Sequence, residues 1–200
     1  MNRSNKIRQI TGIAVLAALA IALQFLSNYI AASGIASITL ALIPIVIGAC
    51  IYGPFAGLLL GTIVGAVVIP GATFFMSFSP VVTVFVCLLK TGIAGLLAGF
   101  IYKVLNNKNA LLAVILASLS VPIINTGLYL LAVYIFYIPA FEAVLESGTN
   151  VYLYVITATF TFNFLIEFLL NSVLSPVLHR LVGIFNSKFK RVNVDIDEDK

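Results

Sequence analysis

Along the chain, long apolar runs alternate with short polar or glycine–proline breaks. A membrane-crossing helix needs about 20 mainly apolar residues. Six runs are candidates: 8–30, 37–53, 55–70, 80–103, 110–138 and 151–180. The second and third are short and separated by Tyr52-Gly53-Pro54-Phe55. Pro54 breaks a helix there and Gly53 permits the turn, so the pair reads as a tight helix–turn–helix. A membrane barrel would instead show alternating segments of ~10 residues. The expected fold is an all-α membrane protein, with six transmembrane helices in a compact bundle over residues 1–187 and a charged tail at 188–200.

Composition supports the same reading. The chain is 62% hydrophobic and 9% charged, with no charge between Arg8 and Lys90. Soluble domains carry roughly 25% charged residues, and a small water-soluble fold leaves too much surface exposed to hide so much apolar area. The first run, from Ile7 to Ile30, is too long for a cleavable signal peptide, and no small-residue cleavage site leads into a soluble domain. Basic residues set the orientation. Arg3, Lys6 and Arg8 precede the first run. Lys103 and Lys108 separate the fourth from the fifth, and Arg180, Lys188, Lys190 and Arg191 follow the sixth. With six spans all three groups share one side, which predicts cytoplasmic N- and C-termini. The net charge of +4 is thus a topology signal rather than a mark of nucleic-acid binding. Trp is absent, and an interfacial belt falls to Tyr29, Tyr52, Tyr102, Tyr137, Tyr152 and Tyr154 near the span ends. Cys50 and Cys87 lie inside spans and read as small apolar fillers, since nothing around them has metal-ligand spacing. The tail from Lys188 is basic, then acidic, and reads as a solvated, partly disordered cytoplasmic end.

Small and polar residues recur at helical spacing. Ala14, Ala18 and Ala22 stand four apart on the first run. Gly53, Gly57, Gly61 and Gly65 do the same on the third, and Gly92, Gly95 and Gly99 row the fourth. Small residues four apart let helix backbones approach closely in lipid, which makes the glycine rows internal packing seams. The polar stripes are Thr159, Asn163, Glu167, Asn171 and Ser175 on the sixth run, Ser118, Pro122, Asn125 and Tyr129 on the fifth, and Thr83 with Lys90 on the fourth. Lipid exposure of such groups is expensive, so they must face the bundle interior or a wet cavity. At ~1.5 Å per residue, Lys90, Asn125 and Asn163 fall near the midplane or in its outer half, with Tyr129 further out and Glu167 slightly deeper. Three consecutive helices thus offer polar groups at similar depth, as a small-molecule site requires. Lys90 either binds a ligand group such as a carboxylate or pairs with Glu167; one Lys and one Glu do not make a proton relay.

Several chemistries are missing. Lys90-Thr91 lacks the glycines of a phosphate-binding loop, so the chain cannot hydrolyse ATP itself. No nucleophile, metal or cofactor motif is present, and His179 is the only histidine. A membrane enzyme acting on lipid intermediates would need an acid–base pair or metal near the interface, and the few charged groups here lie too deep. No internal repeat of the kind common in secondary transporters appears. A chain this small suggests partners.

The six-run layout, the alanine row, "ITLALIPIVIGACIYGPFAGLLLGTIVG" from Ile38, "NFLIEFLLNSVLSP" and "KVLNNKN" together resemble the substrate-binding S components of energy-coupling factor (ECF) transporters, over roughly residues 8–185. The resemblance implies a high-affinity vitamin-binding subunit in a bacterial or archaeal membrane. Such a subunit works with a transmembrane coupling (T) protein and two ATPases, and topples to deliver its substrate. It implies that Ala14, Ala18 and Ala22 contact the coupling protein. It also implies that Lys90, Asn125, Tyr129, Asn163 and Glu167 bind substrate beneath lids formed by residues 28–37 and 70–80, with Gly34 and Gly71 giving freedom and Phe74, Phe75 and Phe78 giving apolar cover. A lone Lys suits a small anion, and the pattern is most similar to the pantothenate type. Asn163 is followed by Leu165, Ile166 and Glu167, which argues against a riboflavin site that pairs the Asn with a nearby Lys. The absence of Trp argues against thiazoles or pterins held between indoles. Another vitamin (riboflavin, folate, pyridoxine), or a membrane assembly subunit without ligand, stays open at this point.

Overall fold

In lipid every backbone amide must bond within its own segment or bundle, which leaves the helix as the default for runs such as these. The computed structural model describes residues 3–32, 39–159 and 164–198, and among them there is no strand. Helix α1 spans Arg3–Ala32, α2 Leu42–Tyr52 and α3 Pro54–Val68, with a 3-10 turn at Ile69–Gly71. Helix α4 spans Thr73–Phe78 and α5 Pro80–Leu105. Helix α6, Ala110–Ala132, continues through a π-helical turn at Val133–Tyr137 into α7, Ile138–Glu142. Helix α8 is Val151–Ala158 and α9 is Leu165–Glu198.

Local chemistry sets the ends. Gly53 sits at φ 94° between α2 and α3, a conformation that side chains rarely adopt, and Pro54 opens α3 where its missing N–H costs nothing. Pro80 opens α5 in the same way. The Asn109 side-chain oxygen accepts from Leu112 N–H at 3.0 Å to cap α6, and Asn150 accepts from Leu153 N–H at 3.1 Å to cap α8.

Among the described residues, five helical stretches are long and apolar enough to cross a membrane: Asn5–Ala31, Pro54–Gly71, Pro80–Leu105, Ala110–Glu142 and Leu165–Phe185. The expected span at 37–53 differs. Helix α2 has 11 residues, a length of ~16 Å against a hydrocarbon core of ~30 Å. Leu42, Pro44, Ile45, Val46, Gly48, Ala49 and Cys50 are all buried, so α2 is a core helix wrapped by its neighbours. The run expected at 151–180 contains α8 and the start of α9, and residues 160–163 lie outside the described ones. Helix α9 crosses the boundary drawn at residue 187 without a break and continues helical to Glu198, where a partly disordered end was expected.

The glycine rows act as expected. Helices α3 and α5 make the most extensive helix pair. A Cβ on Gly57 would strike the Gly95 carbonyl, one on Gly61 the Thr91 carbonyl, and one on Gly65 the Cys87 carbonyl. Backbones this close gain dispersion along their length and lock the rotation of α5. The main core packs α2 residues such as Leu42, Ile45 and Val46 against Leu60, Val64, Ala94, Val114 and Leu178. A second, separate cluster of Val133, Tyr137, Ile138, Val151 and Val155 gathers Phe75, Tyr129, Tyr134 and Phe141 at one end of the bundle.

Candidate functional site

Between these two clusters lies a cavity of about 430 Å³, within the ~300–1,000 Å³ typical of small-molecule pockets. It sits where α1 and α3 end, where α2 and α5 begin, and where α6 passes into its π-helical turn. Each wall follows from a helix already placed. The seam with α3 turns α5 so that Thr83, Cys87 and Lys90 face the cavity. Helix α6 contributes Asn125, Thr126 and Tyr129, and α9 contributes Glu167.

The structure brings four of the expected binding residues, Lys90, Asn125, Tyr129 and Glu167, to this one cavity; the fifth, Asn163, lies outside the described residues. The Lys90 ammonium is 5.5 Å from the Tyr129 ring centroid, a cation–π contact worth ~0.5–1 kcal/mol when exposed and more when desolvated. The alternative ion pair with Glu167 is not made. Glu167 Oε1 accepts instead from Thr39 N–H at 2.9 Å, and Oε2 has no partner. Asn125 approaches this carboxylate without reaching hydrogen-bond geometry.

The polar stripes divide along their length. At one end Thr159 and Thr83 line the cavity. Further along they join helices: Ser118 Oγ donates to the Asn171 carbonyl at 3.2 Å, and Asn171 Nδ2 donates to the Glu167 carbonyl at 2.9 Å. Of the aromatic residues expected as cover, Phe75 lines the cavity and packs edge-on against Tyr129 and Tyr137 at 5.8 and 4.9 Å. Phe74 and Phe78 lie outside its lining and pack on each other at 5.5 Å. Gly71 lines the cavity, whereas Gly34 is outside the described residues.

Helix α1 supplies a wall that the sequence reading missed. Gln24, Ser27, Asn28 and Ala31 face the cavity. Their spacing of three, four and seven residues is itself a helical stripe, passed over because α1 was read for its alanines alone. Tyr137 was read as an interfacial belt residue, yet it is 2% exposed and its hydroxyl lies 2.6 Å from Thr83 Oγ1. Ala14, Ala18 and Ala22 point away from the cavity and are exposed.

Among the described residues, three buried oxygens have no hydrogen-bond partner: Gln24 Oε1, Asn125 Oδ1 and Glu167 Oε2. All three residues line this cavity. An unpaired buried polar group costs ~1–3 kcal/mol, so their convergence marks a space shaped for a polar guest. No group of His, Cys, Asp and Glu able to hold a metal occurs among the described residues.

In comparisons with known proteins, no curated protein and no solved structure matches the chain. The sequence model of one family, described as "ECF transporter, substrate-specific component", matches residues 8–179. This match and the five membrane-length helices make the chain a multi-pass membrane protein that belongs to the family of ECF transporter substrate-specific components.

Proposed function

We propose that the chain is the high-affinity vitamin-binding subunit of an ATP-driven ECF importer in a bacterial cell membrane, and that its substrate is a small anionic vitamin such as pantothenate. Family membership implies a small-molecule substrate and coupling to a T protein and ATPases, and S components bind substrate rather than hydrolyse ATP. The observation that carries the finer reading is the cavity itself: three unpaired buried oxygens converge there with an ammonium whose neighbour is an aromatic ring. A volume of about 430 Å³ lies within the range usual for small-molecule sites.

In this reading the chain returns across the membrane inside the bundle, with the buried helix α2 as only part of that passage, and both termini face the cytoplasm. Lys6, Arg8, Lys103, Lys108 and Arg180 then lie at the inner end, and the cavity lies toward the outer end. The exposed face of Ala14, Ala18 and Ala22 meets the coupling protein, and the residues beyond 187 act as a cytoplasmic tail.

The test is calorimetry and native mass spectrometry on the purified chain with water-soluble vitamins; the absence of Trp rules out indole fluorescence. Sub-micromolar binding of pantothenate, and ATP-dependent uptake when the T protein and ATPases are co-expressed, are the expected results. Absence of binding to every vitamin overturns the reading.

A further inference from the structure

The cavity's polar groups are not equivalent. Lys90 offers only donors. Gln24, Asn125 and Glu167 are 4, 4 and 3% exposed, and each has an oxygen with no partner. The first two are amides that can turn over and present N–H instead. A Glu167 carboxylate cannot, because both of its oxygens accept. Nor is it free to swing away, since Oε1 is held by Thr39 N–H at 2.9 Å. The neighbouring Leu40 N–H donates to Ser27 Oγ at 3.0 Å, and Ser27 also lines the cavity. The chain entering α2 is therefore pinned by two cavity-lining residues, and one of them keeps a buried acceptor with no partner among the described residues.

We propose that Glu167 is a specificity-determining residue: its Oε2 accepts from a hydroxyl or N–H of the substrate while Lys90 holds the substrate's anionic group, so the ligand must carry both. The proposal rests on the vitamin-binding reading of this cavity and narrows the substrate class. A carboxylic acid with no donor leaves Glu167 Oε2 buried and unpaired. A second anion on the ligand meets a like charge and is rejected. A neutral polyol leaves Lys90 without a counter-charge. The bond to Thr39 adds a consequence. A donor on Oε2 fixes the carboxylate further and so holds the start of α2, coupling the ligand's chemistry to the order of that segment.

The experiment measures binding to the purified full chain by calorimetry and native mass spectrometry, with five probes: pantothenate, biotin, nicotinate, pyridoxine and thiamine. The first two carry a carboxylate and a donor, nicotinate carries only the carboxylate, pyridoxine is a hydroxyl donor without a carboxylate, and thiamine is a cation. The expected tightest ligand is pantothenate or biotin. If pantothenate, its relative lacking both hydroxyls and the amide N–H, N-(3,3-dimethylbutanoyl)-N-methyl-β-alanine, binds at least tenfold weaker; if biotin, its derivative methylated on both ureido nitrogens does. This arm needs no variant. Glu167→Gln keeps an oxygen for Thr39 N–H and replaces the second oxygen by a donor. It is expected to weaken the tight ligand at least tenfold and leave the donor-less relative unchanged. Tightest binding by nicotinate, pyridoxine or thiamine overturns the proposal and leaves vitamin binding standing. Wild-type affinity in Glu167→Gln, or equal affinity for ligand and donor-less relative, also overturns it. Binding of none of the five overturns it together with the pantothenate assignment.

Discussion

Lys90 rests against Tyr129, half-buried partway along α5. Keeping an ammonium there without a carboxylate beside it favours any ligand that brings an anion. Lys90→Gln is therefore expected to bind an anionic vitamin 10- to 100-fold more weakly with helix content unchanged, as read by calorimetry and circular dichroism. Tyr129→Phe keeps the ring face and should cost little. Tyr129→Leu removes the face and should weaken binding severalfold, in line with ~0.5–2 kcal/mol for a cation–π contact. Lys90, Asn125, Tyr129 and Glu167 could all be found from sequence, because a polar residue in a span must turn inward and helical spacing says which ones turn together. The partners of Glu167 could not. Thr39 is 128 residues away and reaches it through a backbone N–H, a group every residue but proline carries.

At the level of elements, the α3–α5 seam gives sharp and opposite expectations for two glycines. Gly95 has the Gly57 carbonyl where its Cβ would go, whereas a Cβ on Gly127 of α6 meets nothing within 4 Å. Gly95→Val should force the helices apart, costing about 3 kcal/mol or more. Gly127→Ala should be neutral or stabilising by up to ~1 kcal/mol, because glycine is a poor helix former. Thermal unfolding in detergent separates the two. The seam was readable as rows of small residues. The length of α2 was not, because an apolar run looks the same whether protein or lipid surrounds it. The π-helical turn at Val133–Tyr137 left no local mark in "VYIFY" either, although it places Val133 and Tyr137 on the cavity wall.

For the molecule as a whole, the surfaces proposed for binding and for coupling are different ones. The cavity is internal, and Ala14, Ala18 and Ala22 are exposed on α1. Ala14→Trp and Ala18→Trp are expected to keep wild-type vitamin affinity and to lose ATP-driven uptake. Uptake assays beside calorimetry check this, and normal uptake in both variants would remove the alanine face from the coupling interface. The helical runs were largely legible, since run length and apolar composition are properties of the chain itself. Run lengths do not say which exposed face meets a partner, since lipid and a partner helix present the same apolar surroundings.

The separation of the aromatic cluster from the main core has a dynamic consequence. Phe75, Tyr137, Val151 and Val155 share few neighbours with the buried body around α2, so the two do not need to loosen together. Amide hydrogens of residues 133–155 should exchange with solvent deuterium well before those of α3 and the inner half of α5. Added vitamin should slow the first group and leave the second unchanged. The protein then has two rigidities rather than one, with a durable frame and a yielding crown, and its guest can enter or leave at the cost of unsettling only the crown.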